Sequence, residues 1–216
     1  MRRFSPLAQR RIRAFAANRR ALTALVVFVA VFVLTLFAEL IANDRPLLLK
    51  YNGKLYFPVL AEYTEQEFGG DFPTPADYRD EFVRQNIEKS GWMIMPPVPF
   101  SFNTVDYDLT TPTPAPPSSR HWLGTDDEGR DILARILYGI RLSVVFAFLL
   151  TMVSSLIGVS AGAVQGYFGG RVDIFMQRFM EIWESLPQLF ILIIVASIFV
   201  PTFWSLLIIL MFFSWT

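Results

Sequence analysis

The sequence has no cysteine and a single histidine, His121. Without cysteine the chain can form no disulfide and no thiolate nucleophile, and one histidine cannot build a histidine-cluster metal site. Charged residues are also few: they make up 18% of the 216 residues, against roughly 25% in ordinary soluble domains. Hydrophobic residues reach 53%. The composition therefore excludes several classes of redox and metal chemistry and directs attention to apolar segments.

Patterns for nucleotide binding and hydrolysis are missing as well. The phosphate-binding pattern Gly-x-x-x-x-Gly-Lys-Ser/Thr does not occur, so any ATP used with this chain would be bound by another chain. No serine, histidine and aspartate are placed for nucleophilic catalysis, and His121 is interpreted as an interfacial or linker residue rather than a base. We therefore expect no catalytic residue, no bound cofactor, no metal and no nucleic-acid partner.

Long apolar runs are what the sequence has instead. Leu142 to Val164 is uncharged over 23 residues, which exceeds the threshold of about 18 for a membrane-spanning helix. Small residues recur there at intervals of four and share one helical face, which lets another helix backbone approach closely in a bilayer. This stripe consists of Ser154, Gly158, Gly162 and Gly166. A buried helix of a large soluble protein is the alternative, and we predict an all-α polytopic membrane protein.

The charge distribution predicts the topology. Residues 1–20 form a basic tail with seven arginines, including Arg2 and Arg3, and no acid, and residues 21–41 form an apolar first span whose single charge is Glu39. From 42 to 141 acids outnumber bases by 15 to 10. Because positive flanks resist translocation, the N-terminus is expected in the cytoplasm and 42–141 outside. A cleaved signal peptide is the competing interpretation, but its apolar core would be shorter.

Further spans are predicted over 142–165, 182–200 and from 203 to 216. Residues 166–171 form the expected cytoplasmic turn, and Pro187 is expected to kink the third span. Arg178 and Glu181 near its inner end are interpreted as snorkelling to the headgroups rather than lining a path. The last run is shorter than the about 20 residues needed to cross, so we expect the sequence to be either a fragment of a longer protein or a truncated permease.

The outside segment, 42–122, is predicted to be a small insert. Asn52-Gly53 between two short apolar runs predicts a hairpin over 47–57. Thr74-Pro75 predicts a helix start, and Gly91 predicts its end. The apolar stripe of that helix would be Tyr78, Phe82, Val83 and Ile87. Seven prolines in 96–117 predict an extended linker. Sparse apolar content and this linker argue against a core that folds alone.

Residues 123–141 are predicted to form an amphipathic helix at the outer membrane surface. Thr125 and Glu128 are spaced as a capping box, and Ile132, Leu133 and Ile136 would share its apolar face. An ordinary solvated helix with paired charges is the alternative.

Two motifs in this part of the chain resemble a known family. The first consists of Leu123, Gly124, Thr125, Asp126, Gly129, Arg130, Asp131, Arg135, Gly139 and Arg141, and the second of Gly166, Tyr167, Gly169, Gly170, Asp173, Arg178 and Pro187. In order and spacing they closely resemble permeases of the dipeptide/oligopeptide ABC importer family. The N-terminal part resembles the branch that imports peptides and microcin C in Gram-negative bacteria. Glu181 departs from the pattern, since relatives commonly have aspartate there.

The resemblance implies an inner-membrane permease with the type I importer (MetI-like) transmembrane fold, and a small α+β periplasmic insert after the first span. It implies a second permease, two cytoplasmic ATPase subunits that bind ATP and Mg²⁺, and a periplasmic substrate-binding protein, all within membrane lipid. The family's EAA coupling loop and last two spans lie beyond what this sequence contains, so the chain is expected to lack the coupling element. A membrane-anchored sensor or scaffold, with 42–122 as its recognition module, is the alternative function.

Overall fold

The computed structural model describes residues 5–216. Arg2 and Arg3 of the basic tail lie outside the described residues. The chain divides into two compact units, the first ending at Arg141 and the second comprising Leu142–Thr216.

Two helices occupy the basic tail and the first apolar run. Helix α1 is Pro6–Ala17 and helix α2 is Arg19–Leu36. Asn18 separates them with an extended backbone, and its side chain caps α2 by accepting a hydrogen bond from the Ala21 amide at 3.3 Å. The helix in the basic tail was not predicted.

The first apolar run is an interrupted helix, not the single helix predicted over 21–41. Helix α2 ends at Leu36, and after Phe37 a short helix α3, Ala38–Ile41, follows. The Thr35 hydroxyl donates to the Phe32 carbonyl oxygen at 2.7 Å, a local bond that competes with the regular helical ladder. The side chain of Thr35 and that of Ala38 are buried at this break.

A three-stranded antiparallel sheet follows, with strand order β2-β1-β3. Strands β1, Leu48–Tyr51, and β2, Lys54–Tyr56, form the predicted hairpin, and Asn52 and Gly53 have φ angles of 48° and 79°. Strand β3, Gly91–Ile94, pairs with the other edge of β1 and was not predicted. Any Cβ at Gly91 would collide with the Lys50 carbonyl oxygen, so glycine there permits the β1–β3 pairing.

Helix α4, Glu81–Ser90, starts later than the sequence predicts. The Asp80 carboxylate caps it by accepting from the Phe82 and Val83 amides at 2.8 and 3.2 Å. The predicted start at Thr74-Pro75 is wrong, because Pro75 instead bridges to Thr64 in an extended conformation. Phe82 is likewise not part of the core, since it remains 53% exposed.

The sheet and α4 enclose a compact aromatic core. Its buried members are Leu49, Phe68, Tyr78, Val83 and Ile87. Phe68 stands at the centre and makes edge-to-face contacts with Tyr51, Tyr56 and Tyr78, with ring centroids 5.3 to 5.7 Å apart. This segment therefore has more core than its sparse apolar content predicted, because tyrosines supply much of the buried ring surface.

Four helices complete the described chain: α5, Ile132–Phe168; α6, Gly170–Glu184; α7, Gln188–Ile198; and α8, Phe203–Ser214. Gly166 and Tyr167 belong to α5, so the predicted turn over 166–171 is wrong in extent, and the chain turns at Gly169, where φ is +56°.

The third predicted span is broken. Helices α6 and α7 bend by 61° at the break before Pro187, where a kink was predicted, but α7 itself has only 11 residues. Among residues 5–216, α2 and α5 are long and apolar enough to cross a membrane, and the bent α6–α7 pair would add a third span if it crosses as one.

The small-residue stripe of α5 has two parts, one packed against the end of α8 and one without neighbours in the described chain. A Cβ at Gly158 would lie 2.6 Å from the Trp215 carbonyl oxygen, so the end of α8 approaches the α5 backbone there. At Gly162 and Gly166 a Cβ would meet no described atom within 4 Å. Ser154 is buried. One part of the stripe is thus occupied within the chain and the other is open.

We predict that Leu49→Ala weakens the β1–β3 sheet by about 2–5 kcal/mol, because Leu49 is fully buried in the aromatic core. Amide hydrogen exchange of residues 48–94 in the detergent-solubilised chain measures the effect. Leu55→Ala is the matched control on the neighbouring strand: Leu55 is 57% exposed, and its loss should change the opening free energy by less than about 0.5 kcal/mol. Equal effects of the two changes would contradict the assigned core.

Candidate functional site

His121 lies buried between two aspartates at the end of the proline-rich segment. Its Nδ1 is 2.8 Å from Asp131 Oδ2, and its Nε2 is 3.0 Å from Asp106 Oδ2. The imidazole is 2% exposed and both carboxylates are completely buried. Both ring nitrogens therefore lie within hydrogen-bond distance of carboxylate oxygens. We call Asp106, His121 and Asp131 the His121 cluster.

The His121 cluster joins the proline-rich segment to the first turn of α5. Asp131 immediately precedes α5, and its Oδ1 accepts a hydrogen bond from the Ala134 amide at 2.8 Å. An aspartate in this position satisfies a free helical N–H and places negative charge at the positive end of the helix dipole. Through His121, the same carboxylate holds Asp106, which lies 25 residues earlier in irregular chain.

Two arginines balance the charge of the cluster. Arg79 Nη2 lies 3.1 Å from Asp106 Oδ1, and Arg120 Nε lies 3.3 Å from Asp106 Oδ2. Both guanidinium groups also contact the Phe100 ring, which packs against His121 with centroids 4.4 Å apart. Burial by itself would raise the pKa of Asp106, but the His121 hydrogen bond, the Asp108 amide and the two arginines together lower it.

The motif residues before α5 form a loop, and the predicted helix start at Thr125 is wrong. The Thr125 hydroxyl accepts a hydrogen bond from the Ala115 amide at 2.9 Å and does not cap a helix. Gly124 and Gly129 have φ angles of +78° and +82°, a region that favours glycine. A Cβ at Gly124 would also lie 2.5 Å from the Ala115 carbonyl oxygen. The first motif therefore specifies a tight loop, and the helix begins only at Ile132.

Asp126 organises the inside of this loop. Its Oδ1 accepts from the amides of Glu128 and Arg130 at 3.0 and 2.8 Å, and its Oδ2 accepts from Arg130 Nε at 2.9 Å. Arg135, on the first turns of α5, forms an ion pair with the same carboxylate. Burial acts to raise the pKa of Asp126, but the hydrogen bonds and the Arg130 charge outweigh it, so the pKa is lowered. Leu123, by contrast, is largely exposed.

A second set of contacts fixes the end of the first apolar segment to α5. Arg141 Nη1 lies 2.8 and 2.9 Å from the two carboxylate oxygens of Glu39, and the Tyr138 hydroxyl donates to the Ala42 carbonyl oxygen at 3.1 Å. Beside them Ala42, Val98, Phe100 and Ala134 form a buried apolar cluster. Gly139 takes no part, since a Cβ there would meet no described atom within 4 Å.

The second motif lies in the second unit, where its residues do not form one cluster. Gln165 Nε2 donates to Asp173 Oδ1 at 2.6 Å across the Gly169-Gly170 turn. Arg178 and Glu181 form an exposed ion pair at 2.6 Å. Tyr167 is 84% exposed.

The His121 cluster is suited to holding structure together rather than to chemistry. Both imidazole nitrogens are already engaged, so His121 has no free site from which to abstract a proton. In the part of the chain that the structure describes, no group of three histidine or acidic residues could hold a metal ion. Sequence reasoning missed this role of His121 and missed Asp106 altogether. The adjacency of the single histidine to the first motif was a signal, whereas nothing marked Asp106.

Known proteins related to this chain are permeases. Over 215 residues it is 47% identical to the inner membrane ABC transporter permease protein YejE of Escherichia coli (strain K12), covering 100% of this chain and 63% of that protein. It is 42% identical over 236 residues to the peptidoglycan transport system permease protein YejE of Agrobacterium fabrum, covering 98% of this chain and 62% of the relative. The dipeptide transport system permease protein DppC of Bacillus subtilis matches 46% of the chain at 38% identity. No protein-family model matches.

The chain is thus similar over its whole length to permease proteins of ABC transporters, and α2 and α5 are long and apolar enough to cross a membrane. The two relatives that match the whole chain are both permease proteins named YejE. The chain spans about 63% of the length of its Escherichia coli relative.

We predict that Asp106→Asn destabilises the loop before α5 by about 3–5 kcal/mol, because it leaves Arg79 and His121 without their buried anionic partner. Hydrogen exchange of residues 104–134 measures the loss. Asp108→Asn is the control: its side chain is 76% exposed, and its replacement should have little effect. Protection that survives Asp106→Asn unchanged would show that the His121 cluster does not hold this loop.

The lowered pKa of Asp106 fixes the direction of the pH dependence. A carboxyl group whose pKa is lower when folded stabilises the fold above its unfolded value, about 3.9, and this contribution disappears as pH falls through the folded pKa. The native loop should therefore lose protection below about pH 4. In Asp106→Asn that part of the acid sensitivity should be absent.

Proposed function

We propose that this chain is part of a permease subunit of an ATP-driven peptide importer and forms part of the translocation pathway in the bacterial inner membrane. The observation that carries the proposal is its end-to-end similarity to permease proteins of ABC transporters. The dipeptide and oligopeptide permeases that match its second half support peptides as the substrate class. The resemblance noted from the sequence adds microcin C, a peptide-nucleotide antibiotic, as a candidate substrate.

In this proposal the N-terminus is cytoplasmic and residues 42–141 are periplasmic. The seven arginines of the first 20 residues and the acidic excess of 42–141 support that orientation. The partners are a second permease, cytoplasmic ATPase subunits and a periplasmic substrate-binding protein. ATP and Mg²⁺ are bound by the ATPase subunits.

The His121 cluster and the Glu39–Arg141 pair support a role for the outer segment as part of the permease body. They fix the proline-rich segment and the end of α3 to the beginning of α5. A recognition module that folds alone, as the sensor alternative requires, would not need such contacts with α3 and α5.

Peptide uptake tests the function. The full-length permease that contains this chain is expressed with its transporter partners in a bacterium whose own peptide permeases have been deleted. We expect uptake of a labelled peptide, sensitivity to microcin C, and loss of both when the ATPase phosphate-binding lysine is replaced. An assembled complex that never takes up peptide would refute the importer and favour the sensor.

We predict that Gly162→Leu prevents association with the second permease. Gly162 lies on the open part of the small-residue stripe, and a leucine there would keep a partner helix from close approach. Copurification of the tagged full-length partner from detergent measures association.

Val164→Leu is the matched control, because two residues along a helix place the added bulk about 200° away from the stripe. Val164 is 48% exposed and should tolerate the change. Normal partner recovery with Gly162→Leu would exclude this face as the seam between subunits.

A further inference from the structure

Helix α1 is a separate, strongly basic helix directly before the first membrane segment. It carries Arg10, Arg11 and Arg13, and Arg19 and Arg20 open α2. No acidic residue occurs between Ser5 and Ala38. None of the helix's residues is buried, so its charges face the surroundings and are not neutralised by nearby acids of the same segment.

The helix is also amphipathic. Ala8, Ile12 and Phe15 follow one another at intervals of four and three residues, which places them on one face. Ile12 and Phe15 are 53% and 44% exposed. Arg10 and Arg13 point away from this face, since they lie about 160° and 100° around the helix from Ile12. One side is thus apolar and uncovered, and the other carries the arginines together with Leu7, which is 68% exposed.

Asn18 interrupts the chain between α1 and α2, so the two are separate helices and not one continuous helix. Its backbone has φ −84° and ψ 95°, and its amide closes the end of α1 by donating to the Phe15 carbonyl oxygen at 3.0 Å. Three arginines make insertion of α1 into the hydrocarbon layer unfavourable, whereas α2 is a candidate span. A basic amphipathic helix that adjoins a span but cannot enter the bilayer fits the interface plane.

We infer that α1 is an interfacial helix that binds anionic phospholipid at the membrane surface where α2 enters. Its arginines would contact lipid phosphates, and Ile12 and Phe15 would lie at the boundary with the acyl chains. Charge complementarity selects anionic lipid as the partner: every charged residue of α1 is an arginine, and membrane lies next to the helix because α2 crosses there. The inference needs membrane insertion only, and no peptide, ATPase or second permease.

Residues 1–216 contain no cysteine, so a single cysteine introduced in α1 can be labelled once any cysteine elsewhere in the full-length protein has been replaced by serine. The chain, extended to its full length, is placed in lipid nanodiscs of phosphatidylcholine alone or of an equal mixture with phosphatidylglycerol. An environment-sensitive fluorophore is attached at Ile12→Cys on the apolar face or at Ala14→Cys, which lies about 200° around the helix between the arginines. Quenching by acyl-chain nitroxide and by aqueous acrylamide reports the depth of each position.

We expect the label at residue 12 to be shielded from acrylamide and quenched by nitroxide several-fold more in the anionic discs, with the difference falling as salt increases. The label at residue 14 should stay accessible to acrylamide. Labels equally accessible at both positions in anionic discs would overturn the inference. Shielding of residue 12 that does not depend on lipid charge would also overturn it, because a protein surface would then cover α1.

Two charge variants test whether the arginines of α1 bind anionic lipid while the orientation of α2 is unchanged. Replacing Arg10, Arg11 and Arg13 by glutamine should abolish the dependence on phosphatidylglycerol, while replacing all three by lysine should preserve it. Arg19 and Arg20 remain in both variants, so the positive flank that orients α2 is kept. An undiminished lipid dependence in the glutamine variant would refute a role for these arginines. Failure of peptide uptake would leave these fluorescence results unaffected.

Discussion

The bridge from Asp131 through His121 to Asp106 is the interaction on which the first unit depends. Each of its three residues belongs to a different kind of segment: the cap of a long helix, the end of a proline-rich run, and the middle of that run. Irregular chain of this length has few backbone bonds of its own and must be ordered by other contacts. A buried charge network supplies them here, because each carboxylate and both imidazole nitrogens find a partner.

The same bridge also sets the point at which α5 begins. The loop before it needs two glycines with positive φ and an aspartate that accepts several hydrogen bonds, so continuous helix from Thr125 is impossible. Once Asp131 caps the first turn, the chain runs in one helix for 37 residues. Neither the loop nor the helix could shift by a residue without separating Asp131 from His121. The position at which α5 begins is therefore fixed by residues that precede its apolar part.

Sequence reasoning was most accurate where one local rule decides the structure. The Asn52-Gly53 hairpin and the bend at Pro187 follow from the backbone preferences of two or three residues. It was wrong where the local structure depends on a contact with a residue far away in the sequence. Thr125 and Glu128 have the spacing of a capping box, but the Thr125 hydroxyl accepts a hydrogen bond from the Ala115 amide instead. Strand β3 depends on the absence of a side chain at Gly91 facing Lys50, which no local pattern reveals.

Side-chain contacts hold residues 42–131 to the ends of α3 and α5. Glu39, near the end of the first apolar segment, pairs with Arg141 on α5, and Ala42 is covered by Val98 and Ala134. Loss of Glu39 or Arg141 would leave the other as a half-buried charge without its ion-pair partner. Residues 42–131 therefore connect the ends of α3 and α5 through side chains as well as through the backbone.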